Sequence, residues 1–248
     1  MFFLFKTASR NSFVGRLPAI TSGISGNVLN TFLTKNMQVL VYGEWENQTK
    51  NIKPFFTATY SEEEYKGQKI EFKEYFGSKL RLLFVGTLSE GKRPLYALQL
   101  AEALHKQGVT VQLEICGEGM ERERLEQYIQ INTLDSFVFL RGNLSKDEIK
   151  EKYQRSHFLI LPSKSEGWPK VVAEAMFWGC LPVATDVSCV ATMIKGRGIL
   201  LSMDLKTDTN NLKYYFDDIE AYVKKSKKAV SWSREYTTEK FEKKSGNY

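Results

Sequence analysis

The chain has 248 residues, of which 42% are hydrophobic and 26% charged. This composition excludes disorder of the whole chain, and the length allows one large domain or one and a half of ordinary size. The formal net charge of +6 predicts an anionic partner such as a nucleotide or an anionic membrane surface. Nucleic acid is not expected, because no recognised nucleic-acid motif or interleaved aromatic platform accompanies the basic residues.

The sequence gives no sign of secretion or of a membrane span. Residues 1–5 are too short for the apolar core of a signal peptide, and no apolar run reaches the length of a spanning helix. We therefore expect a cytoplasmic protein that contacts, at most peripherally, the inner face of an anionic membrane.

The few cysteines and histidines argue against a disulfide framework and against a zinc site. Cys116, Cys180 and Cys189 lie in or beside apolar runs, which predicts buried free thiols in a reducing compartment. The two histidines, His105 and His157, come without any paired cysteine spacing. Both are expected to be structural.

The first part of the chain shows only fragments of regular structure. An apolar stretch at 37–42 predicts a strand, and Ser61 with Glu64 three residues later forms a capping-box pattern that predicts a short helix. Residues 66–78 are polar and aromatic without a clear period, which is typical of a linker.

From residue 79 onward, strands and helices alternate. Strands are predicted at 80–85, 110–116, 137–140, 158–161, 181–184 and 198–201. Helices are predicted at 94–106, at 121–131, after a Ser145 cap with Glu148 at capping-box spacing, from Pro169, and in the lysine-rich remainder. This alternation predicts an α/β fold, a Rossmann-like parallel sheet flanked by helices, with ligands bound outside the carboxyl ends of the strands.

The most informative stretch is 159–176, where an apolar run breaks at Pro162-Ser163 and resumes as a helix. Glu166 lies in the turn before that helix, and Glu174 follows eight residues later among apolar neighbours. Backbone N–H groups at the helix start favour an anion such as phosphate, and the carboxylates suit polyol hydroxyls. The alternative is that Glu174 is a solvated helix residue paired with Lys170.

The turn at 86–93 nearly spells a P-loop, with Gly86, Gly91 and Lys92 in the pattern G-x4-G-K. Arg93 stands where a Ser or Thr would hold magnesium, and no strand ending in a magnesium-binding Asp is evident. A P-loop-like NTPase is therefore the weaker alternative at this turn.

The turn at 117–119 is half of a dinucleotide fingerprint. Gly117 and Gly119 are present, whereas Arg122 replaces the third glycine. The turn is weak evidence for NAD, and a tight turn between a strand and a helix explains it equally well.

The spacing from Glu166 to Glu174 is E-x7-E, set in P-S-x-S-E-G-W-P-K-V-x-x-E-A-M-x-x-G-x-L-P-V-A-T. This pattern resembles the donor-site signature of retaining GT-B glycosyltransferases of family 4, and the resemblance covers residues 79–248. It implies transfer of a hexose-type sugar from a nucleoside diphosphate sugar to a glycan or lipid-linked acceptor, with retention at the anomeric carbon. It also implies that no metal and no other cofactor is required.

The resemblance implies roles for individual residues. Lys92 and the helix start would stabilise the leaving diphosphate, and Glu166 would hold hydroxyls of the donor sugar, so these two residues are the catalytic candidates. The family often has an arginine after the glycine of the first donor loop, where this chain has Thr87, and Arg93 is a candidate replacement. The implied substrate-binding residues, with Glu174 on the ribose and Arg141 near the base or else a surface cation, are Gly86, Thr87, Gly117, Gly119, Arg141, Gly142, Ser163, Gly167, Trp168, Pro169 and Glu174.

The resemblance also implies a division of the chain. Residues 1–78 would be a remnant of the acceptor-side domain with its linker, and 79–248 the nucleotide-sugar-binding domain with C-terminal helices. On this interpretation the first domain is truncated, so the chain alone is expected to bind donor but to transfer sugar poorly. A non-catalytic nucleotide-sugar-binding module is the other alternative.

Overall fold

The computed structural model describes residues 4–7, 37–42, 52–55, 59–66, 70 and 79–246. The chain divides into two compact units, residues 1–61 with 236–248, and residues 62–235. The predicted boundary after residue 78 stays a prediction, since 71–78 lie outside the described residues, as does most of the predicted linker.

The first unit contains a three-stranded sheet. Its strands are β1 (Leu4–Thr7), β2 (Met37–Tyr42) and β3 (Ile52–Phe55). Strand β2 lies in the centre, antiparallel to β1 and parallel to β3. The strand predicted at 37–42 is confirmed.

The second unit alternates strands with helices, as predicted. The strands are β4 (Leu80–Val85), β5 (Val111–Cys116), β6 (Val138–Gly142), β7 (Phe158–Leu161), β8 (Leu181–Thr185) and β9 (Ile199–Leu201). The helices are α1 (Pro94–Lys106), α2 (Arg122–Ile131), α3 (Lys146–Arg155), α4 (Lys170–Phe177), α5 (Val190–Ile194), α6 (Leu205–Asp217) and α7 (Ile219–Ser233). A last helix, Thr238–Gly246, belongs to the first unit. In the described ranges, no helix is both long and apolar enough to cross a bilayer.

The six strands of the second unit form one parallel sheet in the order β6-β5-β4-β7-β8-β9. The chain fills one half of the sheet from β4 outward and then returns to fill the other half from β7 outward. This is the Rossmann-like order, and it places a crevice between the loops that follow β4 and β7. The predicted fold class is confirmed.

The central strands are buried on both faces, which explains why they read as continuous apolar runs. Leu82 and Phe84 of β4 and Phe158 and Ile160 of β7 are at most 1% exposed. They pack in one hydrophobic cluster with residues of α1, among them Leu100. This rigid centre fixes the start of the two loops that form the site.

Helix boundaries follow the capping chemistry where it is complete. At Ser145 the hydroxyl accepts from the Glu148 N–H and the Glu148 carboxylate accepts from the Ser145 N–H, so the predicted capping box is confirmed. The helix predicted from Ser61 is wrong within the described residues, where 62–66 form a hydrogen-bonded turn. Pro169 lies one position before α4 rather than at its first residue, because its ψ of 89° is not helical.

The thiols and histidines behave largely as predicted. Cys116 and Cys180 are buried free thiols, whereas Cys189 is only half-buried. Cys189 precedes the short helix α5, which was not predicted from the sequence. Burial raises the pKa of the Cys116 thiol to about 12. His157 is fully buried and its Nδ1 accepts from the Arg81 N–H at 2.9 Å. The ring of His105 stacks on Phe137 at 4.3 Å between centroids.

Candidate functional site

The loops after β4 and β7 are held together at the carboxyl edge of the sheet. The Lys164 N–H donates to the Gly91 carbonyl at 2.8 Å. Lys92 Nζ lies 2.5 Å from Glu166 Oε1, so the two residues predicted to be catalytic form an ion pair. A second ion pair, between Lys164 and Glu90, runs in the opposite sense between the same loops. Each loop thus supplies one cation and one carboxylate to the other.

The local backbone explains how Lys92 reaches Glu166. Lys92 ends a short 3-10 turn, Glu90–Lys92, whose last N–H donates to the Ser89 carbonyl at 3.0 Å. Arg93 then adopts a left-handed conformation with φ of 50°, and Pro94 begins α1. The Lys92 side chain is 30% exposed and that of Glu166 is 7% exposed. A pair this sheltered keeps a cation in place at the mouth of the crevice.

Ser163 and the turn that follows it line the same edge. Ser163 is fully buried, and its Oγ has no hydrogen-bond partner among the described residues. Its carbonyl accepts from Thr185 Oγ1 at 2.6 Å, which ties the turn to the end of β8. Gly167 is exposed, and no described atom lies within 4 Å of the position that a Cβ would occupy there. Open space beside Gly167 and an unsatisfied buried hydroxyl are both suited to a bound ligand.

The rest of the turn leads into α4. Trp168 is half-buried, Pro169 is buried, and the Val172 N–H donates to the Pro169 carbonyl at 3.0 Å. Glu174 is half-buried, and its Oε2 accepts from the Tyr153 hydroxyl of α3 at 3.2 Å. Lys170 was the alternative partner predicted for Glu174, and Tyr153 was not predicted. The apolar positions Ile149 and Tyr153, four apart on α3, are the signal that points this tyrosine inward.

The turns after β4 and β5 pack backbone against backbone. The Gly86 N–H donates to the Cys116 carbonyl at 3.0 Å, and the Leu88 N–H donates to the Glu118 carbonyl at 2.9 Å. A Cβ on Gly117 would lie 2.0 Å from the Gly86 oxygen, and one on Gly119 would lie 2.3 Å from the Leu88 oxygen. The G-x-G pattern therefore has a packing requirement of its own, independent of any nucleotide. Thr87 is exposed at the tip of this turn.

Arg141 lies near the end of β6, within the strand, and its side chain has partners in the structure. Arg141 Nε donates to Glu114 Oε1 at 2.6 Å, and its guanidinium lies 4.7 Å above the Phe139 ring. Lys152 also donates to Glu114 at 2.9 Å. Burial acts to raise the pKa of Glu114, but the hydrogen bonds from Lys152 and Arg141 outweigh it and lower that pKa.

Gly142, next to Arg141, has a φ of 70°, and its carbonyl accepts from the Gly117 N–H at 2.7 Å. The turns after β4 and β5 and the end of β6 are thus joined by hydrogen bonds along one edge of the sheet.

The predicted residues thus fall in two groups at one edge of the sheet. The group near β4 and β7 comprises Gly86, Thr87, Lys92, Ser163, Glu166, Gly167, Trp168, Pro169 and Glu174, and the group near β5 and β6 comprises Gly117, Gly119, Arg141 and Gly142. No three His, Cys, Asp or Glu side chains of the described residues cluster as a metal site would.

The doubly wound parallel sheet, with Lys92 and Glu166 paired at its switch point, matches the fold of GT-B glycosyltransferase structures. The profile of the family Glycosyl transferases group 1 matches residues 67–236, and the chain belongs to this family.

Named relatives agree with that assignment. The chain is 32% identical over 109 residues to the UDP-N-acetylglucosamine--peptide N-acetylglucosaminyltransferase GtfA subunit of Limosilactobacillus reuteri, covering 44% of this chain and 21% of that protein. It is 29% identical over 130 residues to alpha-D-kanosaminyltransferase of Streptomyces kanamyceticus, covering 52% of this chain and 34% of that protein.

A solved structure shares the fold. The pneumococcal O-GlcNAc transferase GtfA in complex with UDP and GlcNAc superposes with a TM-score of 0.62 at 15% identity, covering 79% of this chain and 39% of that one. The chain spans 21% to 46% of the length of the curated relatives it matches.

Proposed function

We propose that this glycosyltransferase chain binds a nucleoside diphosphate sugar at the crevice between the β4 and β7 loops, and that the enzyme transfers a hexose-type sugar with retention, as in family 4. The observation that carries the proposal is the ion pair of Lys92 with Glu166 at 2.5 Å, at the switch point of the sheet. It brings together a cation for the diphosphate and a carboxylate for the sugar. The acceptor is proposed to be a glycan or a lipid-linked glycan.

In the proposed mechanism, charge develops on the diphosphate as the bond to the sugar breaks. Lys92 and the backbone N–H groups at the start of α4 would stabilise that charge where it appears. The Ser163 hydroxyl, buried without a partner among the described residues, would donate to a phosphate oxygen. Once the diphosphate replaces Glu166 as the partner of Lys92, the Glu166 carboxylate would accept hydrogen bonds from sugar hydroxyls. No metal is required in this scheme, since cation and amides neutralise the diphosphate.

Uridine is the first base to test. One relative's name specifies UDP-N-acetylglucosamine, and one fold neighbour was solved with UDP and GlcNAc. Those names concern those proteins, and they support UDP as the first probe for this chain.

The P-loop NTPase alternative is disfavoured by the family match and by the position of Arg93. A measurement of sugar transfer tests the other alternative, a nucleotide-sugar-binding module without catalytic activity. Labelled product from radiolabelled UDP-sugar incubated with glycan and lipid acceptors would exclude the binder. Donor binding without product fits the binder and equally the poor transfer expected of this chain alone.

The binding test is thermal shift and calorimetry with uridine, guanosine and adenosine diphosphates and UDP-sugars, with chelator or with magnesium. At least one ligand should raise the melting temperature equally in both conditions, and Lys92→Ala should weaken its binding by roughly 10- to 100-fold, the loss of a charge-assisted contact. Lys106→Ala is the matched control, because Lys106 pairs with Glu102 at 2.5 Å away from the site, with that carboxylate 8% exposed. Absence of binding by all ligands would overturn the proposal, and rescue only by magnesium would overturn its metal-free form.

We also propose a peripheral contact of the second unit with an anionic membrane surface. Two adjoining grooves of about 580 and 330 Å³ beside β9 share Lys195 and are lined further by Lys225 and by Lys228. None of these three lysines forms an ion pair with a described carboxylate. Co-sedimentation with phosphatidylglycerol vesicles should fall for a Lys195, Lys225 and Lys228 to Gln triple variant and not for Lys106→Gln; equal sedimentation would exclude this surface.

A further inference from the structure

Tyr153 is a polar group buried directly behind the proposed nucleotide site. It projects from α3 toward α4 and is fully buried, among the largest side chains of the second unit to be so. Its hydroxyl donates to Glu174 Oε2 at 3.2 Å. A phenol whose body packs in the core and whose hydroxyl meets a half-buried carboxylate ties the core to the site.

The position of Tyr153 is fixed from both ends of its helix. The capping box of Ser145 and Glu148 sets where α3 begins. At its end, the carbonyl of Tyr153 accepts from the Ser156 N–H at 3.4 Å as the chain enters β7, one of the two strands at the switch point. The hydroxyl is thus presented by a rigid element, which is how a side chain can orient another one accurately.

The hydroxyl limits how the Glu174 carboxylate can turn. Glutamate has three rotatable side-chain bonds, and Glu174 rises from α4 between buried Val172 and Ala175–Met176. A donor fixed on one carboxylate oxygen favours one orientation, and a carboxylate has about four acceptor positions, more than the Tyr153 hydroxyl fills.

We infer that Tyr153 is a positioning residue of the nucleotide site, which orients Glu174 toward the ribose of the bound nucleoside diphosphate. The inference rests on the proposed function and adds to it a residue that does not touch ligand. It assigns the buried hydroxyl a role in affinity for the ribose specifically. Contacts to the diphosphate do not depend on it.

The test compares wild type and Tyr153→Phe with three probes: the nucleoside diphosphate that binds wild type most tightly, its 2′,3′-dideoxy analogue, and inorganic pyrophosphate. We expect Tyr153→Phe to weaken the ribonucleotide by about 5- to 20-fold, as for one lost hydrogen bond to a charged group. The dideoxy analogue should bind both proteins alike, and so should pyrophosphate. A general loss of packing would weaken all three probes together, so the pattern separates positioning from a merely structural role.

Tyr128→Phe is the matched control. The Tyr128 hydroxyl of α2 donates to Glu102 Oε2 of α1 at 2.6 Å, which is the same helix-to-helix pair of tyrosine and glutamate outside the site. Its removal should leave all three affinities unchanged. If wild type binds the ribonucleotide better than the dideoxy analogue while Tyr153→Phe matches wild type with every probe, the inference fails and the proposed function stands. If wild type binds no nucleoside diphosphate, both fail.

Discussion

Two pairs of turns lie at the same edge of the sheet, and different groups hold each pair together. The loops after β4 and β7 meet through side chains, with Lys92 on Glu166 and Lys164 on Glu90. The turns after β4 and β5 meet through backbone, and Gly117 and Gly119 leave no room for a side chain. Both look like ligand-binding signatures in the sequence, although only the first pair of turns is joined by ion pairs from one loop to the other.

The difference shows that a glycine pattern and a pair of opposite charges are unequal evidence for a ligand-binding site. A glycine pattern has a sufficient explanation in close backbone approach, so it is weak evidence for a nucleotide. A lysine and a glutamate that meet from loops 74 residues apart have no comparable explanation in backbone geometry. Three substitutions can break or sharpen this contrast.

The largest effect is expected from Gly117→Ala. The new Cβ would lie 2.0 Å from the Gly86 oxygen, so the two turns must separate. We expect the free energy of unfolding, measured by urea titration, to fall by about 3 kcal/mol or more, since backbone must move. Gly91→Ala is the control, with its nearest atom at 4.0 Å, and should change stability by less than about 0.5 kcal/mol. Equal stability of the two variants would show that the turns do not pack as described.

The next effect concerns binding rather than stability. Glu174→Ala removes the carboxylate proposed for the ribose, and we expect calorimetry to show a loss of about 1 to 3 kcal/mol in nucleoside diphosphate binding. Glu102→Ala serves for comparison because this carboxylate also accepts from a tyrosine. Unchanged affinity in Glu174→Ala would remove this residue from the site.

The smallest expected effect is on the pH dependence of stability, and it concerns Glu114 of β5. The Glu114 pKa is lowered because its hydrogen bonds to Lys152 and Arg141 outweigh burial. A carboxyl whose folded pKa lies below its unfolded value contributes stability above the unfolded pKa, near 4.5, and loses it as the pH falls through the folded value. Unfolding measured from pH 7 down to 3 should therefore show a shallower acid loss in Glu114→Gln than in wild type. Parallel curves would contradict the pairing.

Much of the fold was predictable because the strands and caps are strong local signals. The apolar runs of β4 and β7 and the capping box at Ser145 led to correct elements. The turn near Ser61 has the same pattern but no following apolar face, and it does not become a helix within 62–66. A capping pattern alone therefore does not predict a helix reliably.

The candidate residues could be named from the sequence, whereas their contacts could not. The E-x7-E spacing and the lysine of the first loop named Glu166, Glu174 and Lys92, but no local pattern shows that Lys92 and Glu166 are partners in the unliganded chain. Tyr153 and Glu114 were missed for the same reason, because their roles depend on which strands and helices become neighbours. Whether the named residues bind substrate stays a prediction.

The topology also bears on how the site comes into being. Lys92 and Glu166 belong to opposite halves of the sheet and are 74 positions apart along the chain. Non-local contacts of this kind form late, since a long loop must close before they contribute. Donor binding should therefore be acquired only when β4 and β7 have paired, so that ligand affinity during refolding reports the joining of the two half-sheets and not the appearance of helix.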